Sequence, residues 1–346
     1  MDADDDLSPD APPPGQSRGS GLLTAAVALA FVASIAFIAL AGGRSVFAAN
    51  AGAPGAEAGL PVWAWSVILF FVTLLIGVVA VLAGVGGGVM FVPILVGFSF
   101  PFHADFVRGA GLTVALATAL AAGPKLLRSG MASFRLAVPA ALVASVFAIV
   151  GAIVGLSLPQ EAVQIALGVV MLGVVCVLAF AKRTDPLPSA CLADGCRPDR
   201  LAEALDIGGA YRERSSGEVV TWKPMRTACG LVGFSVVGLL AGMFGMGAGW
   251  ANVPVLNLVM CVPLKVAVAT SVFLLSITDT AAFWVYFNRG AVLPAMVVPC
   301  VAGVMIGSRV GVRLLSVTKP LWIRRMVIAM LLLAGARAVL KGAGVF

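Results

Sequence analysis

Two apolar stretches of this chain are each too long for one straight crossing of a bilayer, and each is interrupted by glycine at a matched place. The first break reads Gly84-Val85-Gly86-Gly87-Gly88 and is followed by Pro93-Ile94-Leu95. The second reads Gly245-Met246-Gly247-Ala248-Gly249 and is followed by Pro254-Val255-Leu256. As a single helix, residues 62 to 100 would reach about 58 Å at roughly 1.5 Å per residue, nearly twice the roughly 30 Å hydrocarbon core. Interrupted backbone survives at membrane depth only where protein or a water-filled cavity satisfies its polar groups. A matched pair of such interruptions points to the substrate site of a secondary transporter.

The surrounding composition agrees. Hydrophobic residues make up 60% of the chain and charged residues 11%, with a mean hydropathy of +1.05. Ordinary soluble domains are about 45–50% apolar and about 25% charged. Apolar stretches near 21–43, 62–100, 105–124, 136–158, 162–181, 227–262, 266–287, 291–315 and 322–340 predict an all-α polytopic protein of the cell (inner) membrane. The net charge of +7 fits lysine and arginine gathered on the cytoplasmic side. With no basic groove or aromatic platform, nucleic acid is not an expected partner. Cys176, Cys229, Cys261 and Cys300 lie in apolar segments and read as small hydrophobes. Cys191 and Cys196 lack the further ligands of a zinc site, so neither a metal nor a cofactor is expected.

Residues 1–20 are acidic and proline-rich and read as a disordered tail. The apolar run 21–43 reads as an extra N-terminal transmembrane helix, because the segment before it is acidic where a signal peptide is basic. Residues 44–61 form a linker to a first transmembrane repeat at 62–182. Residues 183–226 are polar and read as a cytoplasmic loop with a short helix near Leu201 to Leu205, and 227–346 as a second repeat. The halves align beyond the breaks: at an offset of 160, Gly130 meets Gly290, Pro139 meets Pro299 and Gly151 meets Gly311. Duplication follows.

If each broken stretch enters and returns, the halves are inverted. That arrangement places every lysine and arginine in the cytoplasm except Arg44, Arg108, Arg289, Arg337 and Lys341 outside and Arg309 in the membrane. One crossing per stretch would instead give parallel halves. The cluster Arg313, Lys319, Arg324 and Arg325 is cytoplasmic only in the inverted arrangement, which is the one expected here.

Consecutive glycines at a helix break let backbone N–H groups converge, and a half-helix N-terminus adds partial positive charge. Such a site binds anions. Gly84, Gly86, Gly87, Gly88 and Pro93 in the first copy, and Gly245, Gly247, Gly249 and Pro254 in the second, are the candidate substrate-binding backbone. The second copy is the more polar, with Trp250, Asn252 and Asn257 where the first has Val89, Phe91 and Val96. Asn252 is a candidate amide donor and Trp250 a candidate pocket wall. In the next segment Asp279 is the most deeply placed acid, and an intramembrane carboxylate is a functional hypothesis by default; it is the candidate proton carrier. Arg108 is the first candidate to neutralise an anion, ahead of Lys125 and Arg309. His103 reads as a loop residue, and Gly303, Gly307 and Gly311 as a helix-packing face. No nucleophile elbow, Walker loop or HExxH supports an enzyme.

The two glycine runs with their proline continuations, Ala267-Val268-Ala269-Thr270-Ser271 and the Asn288-Arg289-Gly290 turn resemble the TauE/SafE sulfite-exporter family, also called the toluene sulfonate uptake permeases. The resemblance covers about residues 62–342. It implies transport of small sulfur-containing anions such as sulfite or organosulfonates without ATP, and it adds Thr270 and Ser271 as polar ligands. In the first half Ala110-Gly111 stands where that pair would be, which moves the expected site toward the second half. Two other readings are a sensor docking a protein partner through loop 183–226, and a redox protein using Cys191 and Cys196.

Overall fold

The computed structural model describes residues 62–83, 86–97, 103–128, 132–180, 199, 202, 207–212, 219–222, 224–314 and 320–343. The acidic tail, the helix expected at 21–43, the linker, Gly84 and most of loop 183–226 lie outside the described residues. The membrane part is helical: α1 (Val62–Ala83), α2 (Gly87–Gly97), α3 (Ala104–Arg128), α4 (Phe134–Ser157), α5 (Gln160–Phe180), then α6 (Thr227–Phe244), α7 (Gly249–Pro254), α8 (Leu264–Asn288), α9 (Pro294–Leu314) and α10 (Pro320–Gly342). Six of these contain a window long and apolar enough to cross a bilayer: Ala64–Val81, Ala104–Ala121, Phe134–Ser157, Thr227–Phe244, Val266–Asn288 and Pro294–Gly311. On α4, Val138, Leu142, Val146 and Val150 are exposed at a spacing of one helical turn, an apolar stripe that suits lipid. This is a multi-pass membrane protein.

Both long stretches break where their glycines stand. Residues 62–100 divide into α1 and the short α2, and residues 227–262 divide into α6, α7 and a π-helical turn, Val255–Val259. Pro254, which has no N–H to give, immediately precedes that turn. The second stretch then returns to the face it entered. Gly233 packs beside Val255 and Gly230 beside Met260, and the Met225 N–H donates to the Met260 carbonyl at 3.0 Å. In the first stretch Gly87 lies beside Thr118 and Val114, while Val92 lies beside Gly111. Thus α2 runs antiparallel to α3.

Small residues set the helix directions, since without a hydrophobic force between helices in lipid, close packing drives association. Gly303 meets Phe70, Gly307 meets Leu74 and Gly311 meets Val78, so α1 and α9 lie parallel. Those three glycines form the packing face expected of them. Gly238 meets Ala144 and Gly242 meets Ala148, so α4 and α6 are parallel as well. Along α4 and α8 the Ser133 N–H reaches Thr270 at one end, and Ala148 and Ala152 cluster with Ala282 and Tyr286 further on. Gly123 lies beside Val272 and Gly109 beside Ala291, which sets α3 antiparallel to α8. Accordingly α1, α3 and α9 point one way, and α4, α6 and α8 the other. Gly168 beside Val339 and Gly342 beside Ile165 make α5 and α10 antiparallel.

Two details differ from the sequence reading. The connector carries a two-stranded antiparallel ribbon, β1 (Gly209–Arg212) with β2 (Val219–Trp222), pairing Gly209 with Trp222 and Arg212 with Val219. Of the helix expected near 201–205, Ala202 alone is described, and it is helical and buried. Cys261 is no simple packing residue: it is disulfide-bonded and takes a φ of 55° in the turn that closes the second broken stretch. A disulfide is favoured in an oxidising compartment, whereas the expectation from the lysine and arginine distribution is a cytoplasmic face here.

Candidate functional site: two facing helix breaks

The breaks adopt matched backbone conformations. Gly86 has φ 87° and Gly247 φ 74°, with Gly245 at 67°. A side chain at any of these would be held in the left-handed region, which L-residues other than glycine, asparagine and aspartate rarely enter. The loops also meet each other. A Cβ built on Gly88 would fall 2.5 Å from the Met246 carbonyl oxygen and 2.7 Å from that of Gly111, and one on Gly111 would fall 2.5 Å from the Gly245 carbonyl. Gly86 faces Gly249 across an open contact of 4.0 Å. The starts of α2 and α7 are thereby brought together inside the protein.

An acidic side chain lies against the second break. A Cβ on Gly247 would lie 2.8 Å from Asp279 Oδ2 and 2.7 Å from the Ala115 Cβ. Asp279 is fully buried; the Ala248 backbone amide interacts with it, yet neither carboxyl oxygen completes a hydrogen bond within the protein. Asn252, on the same short helix as Gly249, is also fully buried, with neither amide atom bonded. The Thr278 hydroxyl and the Trp250 indole N–H share that condition. An unpaired buried polar group costs roughly 1–3 kcal/mol, and a carboxylate costs more. Such a set favours a polar partner at the break.

The first break offers nothing comparable. Val89, Phe91 and Val96, at the positions matching Trp250, Asn252 and Asn257, are buried in the apolar core. Asn257 itself is spoken for, since its side-chain amide donates to the Val262 carbonyl at 2.9 Å and fixes the turn after the π-helical segment. Pro93 sits inside α2.

The other candidates disperse. Thr270 accepts a hydrogen bond from the Ser133 N–H at 3.1 Å, and Ser271 donates to the Val268 carbonyl of its own helix at 2.9 Å. Nine residues at roughly 1.5 Å each put Thr270 about 13 Å along the helix axis from Asp279. Arg309 is exposed, and the Lys125 side chain lies outside the described residues. His103 is the exposed residue just before α3 and contacts Gln160 and Asp105.

Arg108 is buried but committed. Its guanidinium donates to the carbonyls of Gly155 at 2.8 Å and Met243 at 3.1 Å and pairs with Asp105. Tyr286, absent from the sequence-based candidates, donates its hydroxyl to the Gly242 carbonyl at 2.9 Å and to that of Met243 at 3.2 Å. The last carbonyls of a helix have no partner within it, and α6 ends at membrane depth, so these two side chains cap it. One signal was available: Tyr286 is one of only two tyrosines in the chain, and it stands in an apolar run.

The profile of the sulfite exporter TauE/SafE family matches residues 69–338. The probable membrane transporter protein YunE of Bacillus subtilis (strain 168) is 23% identical over 285 residues, covering 80% of this chain and 98% of that protein. No solved structure matches. The matched region begins in α1 and ends in α10, enclosing both helix breaks, and by it this membrane transporter belongs to the TauE/SafE sulfite exporter family.

Proposed function

We propose that the chain is a secondary transporter of small sulfur-containing anions such as sulfite or organosulfonates, working as an exporter from two inverted halves, with Asp279 as its proton carrier. The observation that carries this reading is the second of two facing helix breaks, where the buried Asp279 lies against Gly247 and Asn252, on the short helix that the break opens, is buried with neither amide atom bonded. A bound oxyanion would accept from the Asn252 amide and from backbone N–H groups at the starts of α2 and α7. Asp279 in its protonated form would donate to the same anion, and in its ionised form would repel it. Proton and anion would then occupy the site together or exclude each other, which is the elementary requirement for coupling. The opposed directions of α1 and α6, and of α3 and α8, support inversion, as does the return of each broken stretch to its entry face. Alternating access follows from rocking of one packed body against the other.

Purified protein in liposomes, assayed with sulfite, sulfate and a simple sulfonate with and without an imposed pH gradient, tests the reading. Saturable flux of one anion that responds to the gradient is expected. Asp279→Asn should abolish the response to the gradient while the protein stays folded in the membrane. A gradient response undiminished in that variant would remove Asp279 from the mechanism.

A further inference from the structure

The helices sort into two bodies by their packing. One contains α1, α2, α3 and α9; the other contains α6, α7, α8 and α4. Each body therefore borrows a helix from the other half of the chain, and α3 against α8 is a principal seam between them. Arg108 crosses that seam. It projects from α3 in the first body, while its acceptors, the Gly155 and Met243 carbonyls, belong to α4 and α6 in the second. Tyr286, on α8, bonds α6 within the second body and also interacts with Arg108 across the seam.

We propose that Arg108 is a latch that closes the two bodies at the face where α3 begins, and that each transport cycle must release it. The inference rests on the alternating-access reading above and adds to it a specific gate. At the offset of 160 the position on α8 matching Arg108 is Val268, which has no donor to offer, so Arg108 has no counterpart at that position. The resting protein is thus biased toward closure at the α3 start. Asp105 makes release feasible. It lies three residues from Arg108 on the same helix, so the ion pair travels with α3 when the bodies part, and the guanidinium is never left in the membrane without its counter-charge. What breaks are the bonds to the Gly155 and Met243 carbonyls and the contact with Tyr286. Hydrogen bonds from a charged donor are strong enough to bias a conformational equilibrium and weak enough to be broken in every cycle.

The test reads distance and needs no cargo. Spin labels carried on a keto amino acid at Ser157, the exposed end of α4, and Ala295, the exposed start of α9, span the latched face; Val232 and Val310 span the other. Electron–electron resonance on the reconstituted wild type should give mainly the short distance across the latched face. Arg108→Met should raise the open-to-closed ratio there roughly tenfold, as loss of charge-assisted bonds would, and shorten the distance across the other face. Ser235→Ala, which removes a bond within α6 alone, should leave both distances unchanged. Arg108→Lys keeps the charge but loses the planar fork and should give a smaller opening; it carries the test alone if Arg108→Met fails to reach the membrane. Distances in these arginine variants matching the wild type would overturn the latch. Opening in Arg108→Met from a protein that moves no sulfur anion would refute the cargo and leave the latch standing.

Discussion

The two helix breaks share a backbone and differ in chemistry. Gly86 and Gly247 hold the same left-handed turn, and each opens a short helix toward the other. After Gly86 the chain is packed with Val89, Phe91 and Val96; beside Gly247 stands Asp279, and five residues on the buried Asn252 leaves both amide atoms unbonded. On the proposed reading a duplicated scaffold is divided, one copy an apolar wall and the other the polar side of a site. Duplication constrains where the backbone breaks; it leaves free which side chains line the break.

The largest effect that would sharpen this contrast comes from adding one methyl group to each copy. Gly247→Ala places a carbon within 2.8 Å of Asp279 and 2.7 Å of Ala115 in a conformation that itself disfavours alanine. Strain and overpacking together should cost about 2–5 kcal/mol and abolish anion flux in liposomes. Gly86→Ala meets only the Gly249 Cα, at 4.0 Å, so it carries the conformational penalty alone, about 1–2 kcal/mol, and should retain part of the flux. Equal losses in the two variants would break the comparison.

A pair of opposite effects is expected just over one turn further on. Asn252→Ala removes two unpaired buried polar atoms, so its melting temperature should hold or rise, while the apparent KM for the transported anion increases about tenfold. Phe91→Ala, at the matching position, opens a cavity and should lower stability by about 3–5 kcal/mol. Thermal unfolding in detergent beside flux titrations separates the two. A destabilised Asn252→Ala with unchanged KM would return that residue to the role of a packing hydrogen bond.

Much of this was legible in the sequence because glycine and proline mark interrupted helices whatever surrounds them. The breaks, the duplication, the packing face at Gly303, Gly307 and Gly311 and the asymmetry between copies all follow from residues close together in the chain. Arg108 was legible only as a deep cation: its acceptors lie 47 and 135 residues away, and carbonyl groups leave no trace in side-chain chemistry. The contact of Gly88 with Met246 is hidden for the same reason. The β-ribbon was missed although Val219-Val220-Thr221-Trp222 is β-branched and aromatic, because a polar connector between membrane halves was read as a whole.

Thr270 and Ser271 supply the smallest test and the one that most directly sets resemblance against geometry. Family resemblance makes them a pair of substrate ligands; the structure gives them different duties. Thr270→Val removes the acceptor of the Ser133 N–H and leaves a donor unpaired at the start of α4, which should cost about 1–3 kcal/mol. Ser271→Ala removes only a bond to the Val268 carbonyl, which already serves its own helix, and should change stability by less than about 0.5 kcal/mol. If the polar half-site is centred on Asn252 and Asp279, neither substitution should raise the apparent KM for anion more than about twofold. A tenfold rise in Ser271→Ala with stability intact would place the hydroxyl against the substrate. The site would then extend roughly two further turns along α8, and the division between a polar and an apolar copy would have to be redrawn to include the helix beyond the break.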